Sequence, residues 1–169
     1  MDVRFINPFV RSICNTFETM CAMSVTVEKP QLKTGAEPTT DVSGVIGFSG
    51  DAAGSVVLQF SFETASAIAT AFAGIPIDQN HEDFADAIGE LANMVAGGAK
   101  AQFEGLDTSI SLPNVVVGKS HNVSACKNSP RIMIPCTTAV GSFQVEVGME
   151  LAKKPLGRPA QAAAAGAQR

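Results

Sequence analysis

The chain contains no tryptophan and no tyrosine. A platform for stacking bases would have to be assembled from its ten phenylalanines alone, and most of these fall at core-like positions. Lysine and arginine are also sparse, 12 against 16 aspartates and glutamates, for a formal net charge of −4. No single element carries the basic cluster that neutralising a run of phosphates requires, so no nucleic-acid partner is expected. No stretch approaches the ~20 apolar residues needed to cross a bilayer. The opening MDVRFINPFVRSICN lacks an apolar core bounded by a small-residue cleavage site, so a signal peptide is not expected, nor a membrane partner, and the expected location is cytoplasmic. The four cysteines, Cys14, Cys21, Cys126 and Cys136, show no CxxC spacing. Neither His81 nor His121 stands at ligand spacing to a cysteine or to the other histidine. The cysteines therefore read as reduced core residues, and no metal site is expected in this chain.

What is present is an ordinary globular composition. The chain has 169 residues, 46% of them hydrophobic and 17% charged, enough for one domain with a real core. Asn7 and Pro8 mark the start of a helix, and Phe9, Ile13, Phe17, Met20 and Cys21 recur on one face of it to about Met23. A period-two strand, Ser24–Glu28, precedes a loop over Pro30–Thr40. Val42–Ser49 and Ser55–Ser61 read as a hairpin joined by the glycine-bounded segment Gly50–Gly54. A short helix, Glu63–Ala73, stops at Gly74. A second long helix spans about His81–Phe103, its first turn rich in Asp and Glu. Ser109–Val117 reads as a strand, Ser120–Pro130 as a polar loop, and Arg131–Ala139 with Ser142–Leu151 as a second hairpin. Aligning Asn15 with Asn93 places Val10 on Ile88, Ile13 on Leu91 and Phe17 on Val95. This internal repeat predicts an α+β fold: a pseudo-twofold pair of long helix plus antiparallel-rich strands, with the helices on one side of the sheet. The domain is expected over 1–152, and the alanine-rich tail 153–169 is expected to be disordered.

The second long helix holds the chemistry-bearing residues. At about 100° per residue, with Glu90 at zero, Asp83, Asp86, Asn93, Gly97 and Lys100 all fall within about 80°. Phe84, Ile88, Leu91, Val95 and Ala99 fall between about 100° and 180°. Glu90 and Asn93 are neighbours one turn apart on the wet face. That face also contains Gly89 and Gly97, with Ala96 and Gly98 at its edge. Each glycine costs a helix about 1 kcal/mol relative to alanine. Two explanations offset that cost: close packing by a neighbouring element of the same chain, or close approach by another protein's backbone.

Glu90-Leu91-Ala92-Asn93, followed by Gly97-Gly98-Ala99-Lys100, resembles the E-x-x-N helix of the CheC/CheX/FliY family of chemotaxis phosphatases. The opening helix, from Asn7-Pro8-Phe9 to Phe17-Glu18-Thr19-Met20, is also similar to that of the CheX branch. The likeness covers about residues 5–151 in the order and spacing of elements. CheC-type members often carry the motif on both related helices. Here the first helix offers Ser12-Ile13-Cys14-Asn15, with Ser12 where the acid would be, which implies one working site and the CheX-like branch, whose members dimerise by pairing sheet edges.

The resemblance implies hydrolysis of the phospho-aspartate of a CheY-like response-regulator receiver domain. Asn93 would orient the attacking water and Glu90 would pair with the receiver's lysine, with Asp86, Gly97 and Lys100 at the docking surface. Magnesium would belong to the receiver, and this chain would bind no cofactor. A homodimer is expected. The alternative is a non-catalytic module that docks a receiver or another chemotaxis protein. An unrelated small-molecule enzyme is disfavoured, because the glycines of Gly44–Gly54 lie in a hairpin and not in a strand-to-helix turn that could cradle phosphate.

Overall fold

Period-two and period-3.6 patterning resolve into the expected elements in a computed structural model, which describes residues 3–33, 41–121, 123 and 130–152. In chain order these are α1 (Ile6–Cys21), β1 (Thr26–Val27), β2 (Gln31–Leu32), β3 (Val42–Gly50), β4 (Ala52–Phe60), α2 (Phe62–Ala73), α3 (Phe84–Lys100), β5 (Thr108–Ile110), β6 (Asn114–Val117), β7 (Ile132–Thr138) and β8 (Gly141–Leu151). The eight strands form one sheet in the order β1-β7-β8-β4-β3-β5, with β2 also on β7 and β6 also on β3. Every pairing is antiparallel.

The helices cover one face. Along each central strand alternate residues enter the core: Val42, Ile46 and Phe48; Val56, Leu58 and Phe60; Val145, Val147 and Met149. They meet Phe9, Ile13 and Phe17 of α1 and Ile88, Leu91 and Val95 of α3, all completely buried. Phe143 stacks on Phe17 and on Phe60, at ring separations of 4.8 and 5.3 Å. The pseudo-twofold arrangement is visible in the strand order. The hairpins β3–β4 and β7–β8 meet at the central β4–β8 pair, and the strands after each long helix cross to the other half's hairpin: β1 and β2 to β7, β5 and β6 to β3.

Several boundaries differ from the sequence reading. A 3-10 turn (Val3–Phe5) leads into α1, whose N-cap is Phe5 without a side-chain cap bond. Asn7 and Pro8 thus lie inside the first turn, where a missing N–H still costs no helical hydrogen bond. α1 stops at Cys21 because Ala22 turns left-handed, φ 51°. The Gly50–Gly54 connection is tighter than expected: β4 already begins at Ala52, and Gly50 at φ 112° makes the turn. The span 109–117 is two strands, because Ser111–Pro113 bulges out between β5 and β6. The loop after Ser24–Glu28 contains a short strand, β2, separated from β1 by Glu28–Pro30. The two interruptions correspond: the Ser111 N–H donates to Gly47 O and the Glu28 N–H to Pro135 O, each at 2.9 Å, and each stands two residues before a proline, which cannot donate to the ladder. The tail 153–169 and most of the Ser120–Pro130 and Pro30–Thr40 loops lie outside the described residues.

Candidate active site

α3 is fastened from three sides. At its start, the Phe84 N–H donates to His81 O at 3.0 Å and the Ala87 N–H to Asp83 O at 2.9 Å. The turn over His81–Asp83 is therefore separate from the helix, which runs from Phe84 and not from His81. Asp86 then occupies its first turn, at the positive end of the dipole. On its apolar side Ile88, Leu91, Ala92, Val95 and Ala99 are fully buried. Along its edge it packs antiparallel to α1: the Ser12 hydroxyl donates to Val95 O at 2.7 Å, and Gln102 Nε2 donates to Pro8 O at 3.4 Å.

Glu90 is exposed and Asn93 half-buried. The Asn93 amide nitrogen donates to Glu90 Oε2 at 3.4 Å. That contact directs the amide's donor end toward the carboxylate and leaves its oxygen as an available acceptor. Leu91 and Ala92, between them, anchor the backbone in the core. The pair is thus a carboxylate and a carboxamide held side by side on a rigid support, with no buried charge.

The glycines of this helix divide between the two explanations open at the level of sequence. Gly89 is buried; a Cβ there would stand 3.3 Å from Val115 Cγ2 and 3.5 Å from Pro113. A Cβ on Gly98 would run into the Ser12 hydroxyl of α1. Ala96 is also fully buried. These three serve packing within the chain: Gly89, expected on the wet face, is buried instead, and the edge positions Ala96 and Gly98 pack inward. Gly97 alone has open space where a side chain would be. Asp86 and Lys100 are exposed. Asp86, Glu90 and Asn93 form one continuous strip. Gly97 follows one turn beyond Asn93. Lys100 closes the helix about 15 Å along the axis from Glu90.

A groove of about 430 Å³ runs beside the strip, lined by Ala85, Asp86, Gly89, Glu90, Pro113 and Val115. A single strand over 109–117, as the sequence pattern predicts, does not build the wall of Pro113 and Val115, which depends on the turn between β5 and β6. The interior Pro113 and the helical Gly89 were the available signals.

No group of three or more His, Cys, Asp or Glu residues among the described residues is arranged to hold a metal ion. No helix among them is long and apolar enough to cross a membrane. Burial pushes the Cys21 thiol up to about 11. Burial, with smaller contributions from Cys14 and Glu28, pushes Cys136 up to about 12. Both are poor nucleophiles. Cys126 lies outside the described residues.

Residues 42–137 match the family described as "Chemotaxis phosphatase CheX". The curated CheY-P phosphatase CheX of Thermotoga maritima is 31% identical over 128 residues, which is 74% of this chain and 83% of that one. The crystal structure of chemotaxis protein CheX from Desulfovibrio desulfuricans superposes with a TM-score of 0.80 at 33% identity, covering 88% of this chain and 99% of that one. A CheC-like superfamily protein from Shewanella sp. PV-4 gives 0.79 at 34% identity, covering 89% and 99%.

Proposed function

The chain belongs to the CheX family of chemotaxis phosphatases, and from that premise we propose that it hydrolyses the phospho-aspartate of a CheY-like receiver domain through Glu90 and Asn93. The observation that carries this reading is the contact between the two side chains on the open face of α3. An acyl phosphate is already reactive. Its hydrolysis needs a water held in line with the bond that breaks, so positioning and electrostatics supply most of the acceleration. Asn93 Oδ1 accepts a hydrogen bond from that water. Glu90 keeps the amide turned the right way in the free protein. In the complex Glu90 pairs with the receiver's active-site lysine and fixes the register of docking. Such a pair is weak in water and gains strength once the interface excludes it. Magnesium belongs to the receiver's own acidic pocket, and this chain adds no ligand to it. Asp86 and Gly97 border the contact, and Lys100 lies at its far rim. The working form is a cytoplasmic homodimer paired through sheet edges.

Phosphate release from a phosphorylated CheY-like receiver tests the assignment. Asn93→Ala and Glu90→Ala both fold, because neither side chain enters the core. Asn93→Ala lowers the maximal rate by on the order of 10²-fold, as losing one positioned polar group in a reaction site does. Glu90→Ala acts on both apparent affinity and rate. An unchanged rate in Asn93→Ala overturns the water-positioning role. Wild-type protein that binds the receiver without accelerating phosphate release would make the domain a docking module.

A further inference from the structure

Leu112 is 85% exposed, more than any other large apolar side chain among the described residues. A lone surface leucine needs no explanation. This one is held out by a built support. The Gly47 N–H donates to Ser111 Oγ at 3.0 Å, and Ser111 Oγ donates to Leu112 O at 2.7 Å. The Ser111 N–H donates back to Gly47 O at 2.9 Å, so this residue is clamped to β3 from both sides. On the other side of Leu112, Pro113 and Val115 lean on the helix where Gly89 has no side chain. The turn is therefore fixed to the sheet by hydrogen bonds and to α3 by packing, and ordering it on binding costs little.

Its neighbour is the groove whose helical wall carries Asp86 and Glu90 and whose opposite wall is Pro113 and Val115. Two carboxylates face two apolar side chains, and no lining residue is basic. That chemistry suits a side chain with an apolar stem and a cationic head. The two halves of the fold sharpen the point. The turn related to Ser111-Leu112-Pro113 is Glu28-Lys29-Pro30, with the same backbone bond to the neighbouring strand. The half that carries Glu90 and Asn93 presents a leucine there. The half with Ser12 in place of the acid presents Lys29.

We infer that the Ser111–Pro113 turn is a second docking element for the receiver domain: Leu112 packs on an apolar patch beside the phosphorylated aspartate while the groove behind it takes the stem of the lysine that pairs with Glu90. This rests on the receiver reading above and assigns partner selection to residues outside the E-x-x-N helix. It makes Leu112 a specificity-determining residue that touches the partner and not the reacting atoms.

The test titrates a beryllofluoride-bound CheY-like receiver into the full chain and, separately, measures phosphate release against receiver concentration. Leu112→Asp raises Kd and KM by about tenfold or more, as loss of a buried interface anchor does, and leaves kcat within about twofold. Leu112→Ala gives a smaller shift in the same direction. Thermal unfolding of both matches wild type, since the side chain packs on nothing in the free chain. Lys29→Leu, at the related turn, changes neither constant. Wild-type activity together with an unchanged Kd in Leu112→Asp overturns the docking element and leaves the phosphatase reading intact. A fall in kcat at constant KM also overturns it. So does a change in oligomeric state at constant receiver affinity, which would assign the turn to a second copy of the chain. Wild-type protein that neither binds nor accelerates defeats both readings together.

Discussion

Glu146 lies in the middle of β8 on the face of the sheet away from the helices, and it is 1% exposed. Its carboxylate accepts from Lys33 Nζ at 2.8 Å, from Gln59 Nε2 at 3.1 Å, and from Arg131. Burial alone pushes its carboxyl up. The hydrogen bonds and charges of Lys33 and Arg131 outweigh that and hold it below its ordinary value of 4.5. A carboxyl depressed on folding contributes stability that is present above its unfolded value and is lost as pH falls through the folded one. The wild-type melting temperature should therefore drop below about pH 4.5. Glu146→Gln should flatten that acid-side slope and cost on the order of 3 kcal/mol at pH 7, because two cations are left near a neutral amide. Denaturant melts from pH 3 to pH 7 check both outcomes. The alternation of β8 makes Glu146 look like one more solvent-facing residue. Its partners stand 113, 87 and 15 residues away, and no local pattern announces separations of that size.

At the level of one helix, the apolar stripe of α3 was legible because a 3.6-residue period leaves no other arrangement for Ile88, Leu91, Val95 and Ala99. The purpose of its glycines was not legible, because each is defined by what lies across from it. Gly89 meets Pro113 and Val115, Gly98 meets Ser12, and Gly97 meets open space. The difference predicts opposite signs for one chemical change. Gly97→Ala should stabilise the fold by up to about 1 kcal/mol, the helix-propensity gain, with no clash to offset it. If a receiver's backbone approaches there, the same methyl raises KM for the phosphorylated receiver. Gly98→Ala should destabilise instead. It forces the Ser12 hydroxyl off Val95 O, and overpacking of about 1–3 kcal/mol outweighs the propensity gain. Thermal melts of the two variants, read beside KM, separate a glycine kept for folding from one kept for a partner.

Across the whole molecule the repeat was legible in the helices, where the Asn15–Asn93 alignment carries the apolar face of one onto the other. The sheet repeats more closely than the sequence suggested. The strand following each long helix is broken in two by a proline-bearing turn and crosses to the other half. Val57 and Glu146 face each other across the β4–β8 pair, so the two halves set an apolar residue against a charged one where their hairpins meet. The two long helices of this symmetric fold differ at the Glu90 and Ser12 positions by more than a side-chain exchange. Glu90 projects into water, while its counterpart Ser12 is 3% exposed and fills the gap at Gly98. Ser12→Glu therefore cannot restore a second site. It places a longer, charged side chain where a hydroxyl just fits, and should cost at least about 3 kcal/mol from overpacking and desolvation together. The melting temperature falls accordingly. Phosphate release per folded chain does not rise, and Ser12→Glu in the Glu90→Ala background recovers none of the lost rate. Titration of wild type with beryllofluoride-bound receiver should saturate at one receiver per chain, whatever the oligomeric state. Saturation at two would mean that the Ser12–Asn15 helix still docks a receiver without its acid.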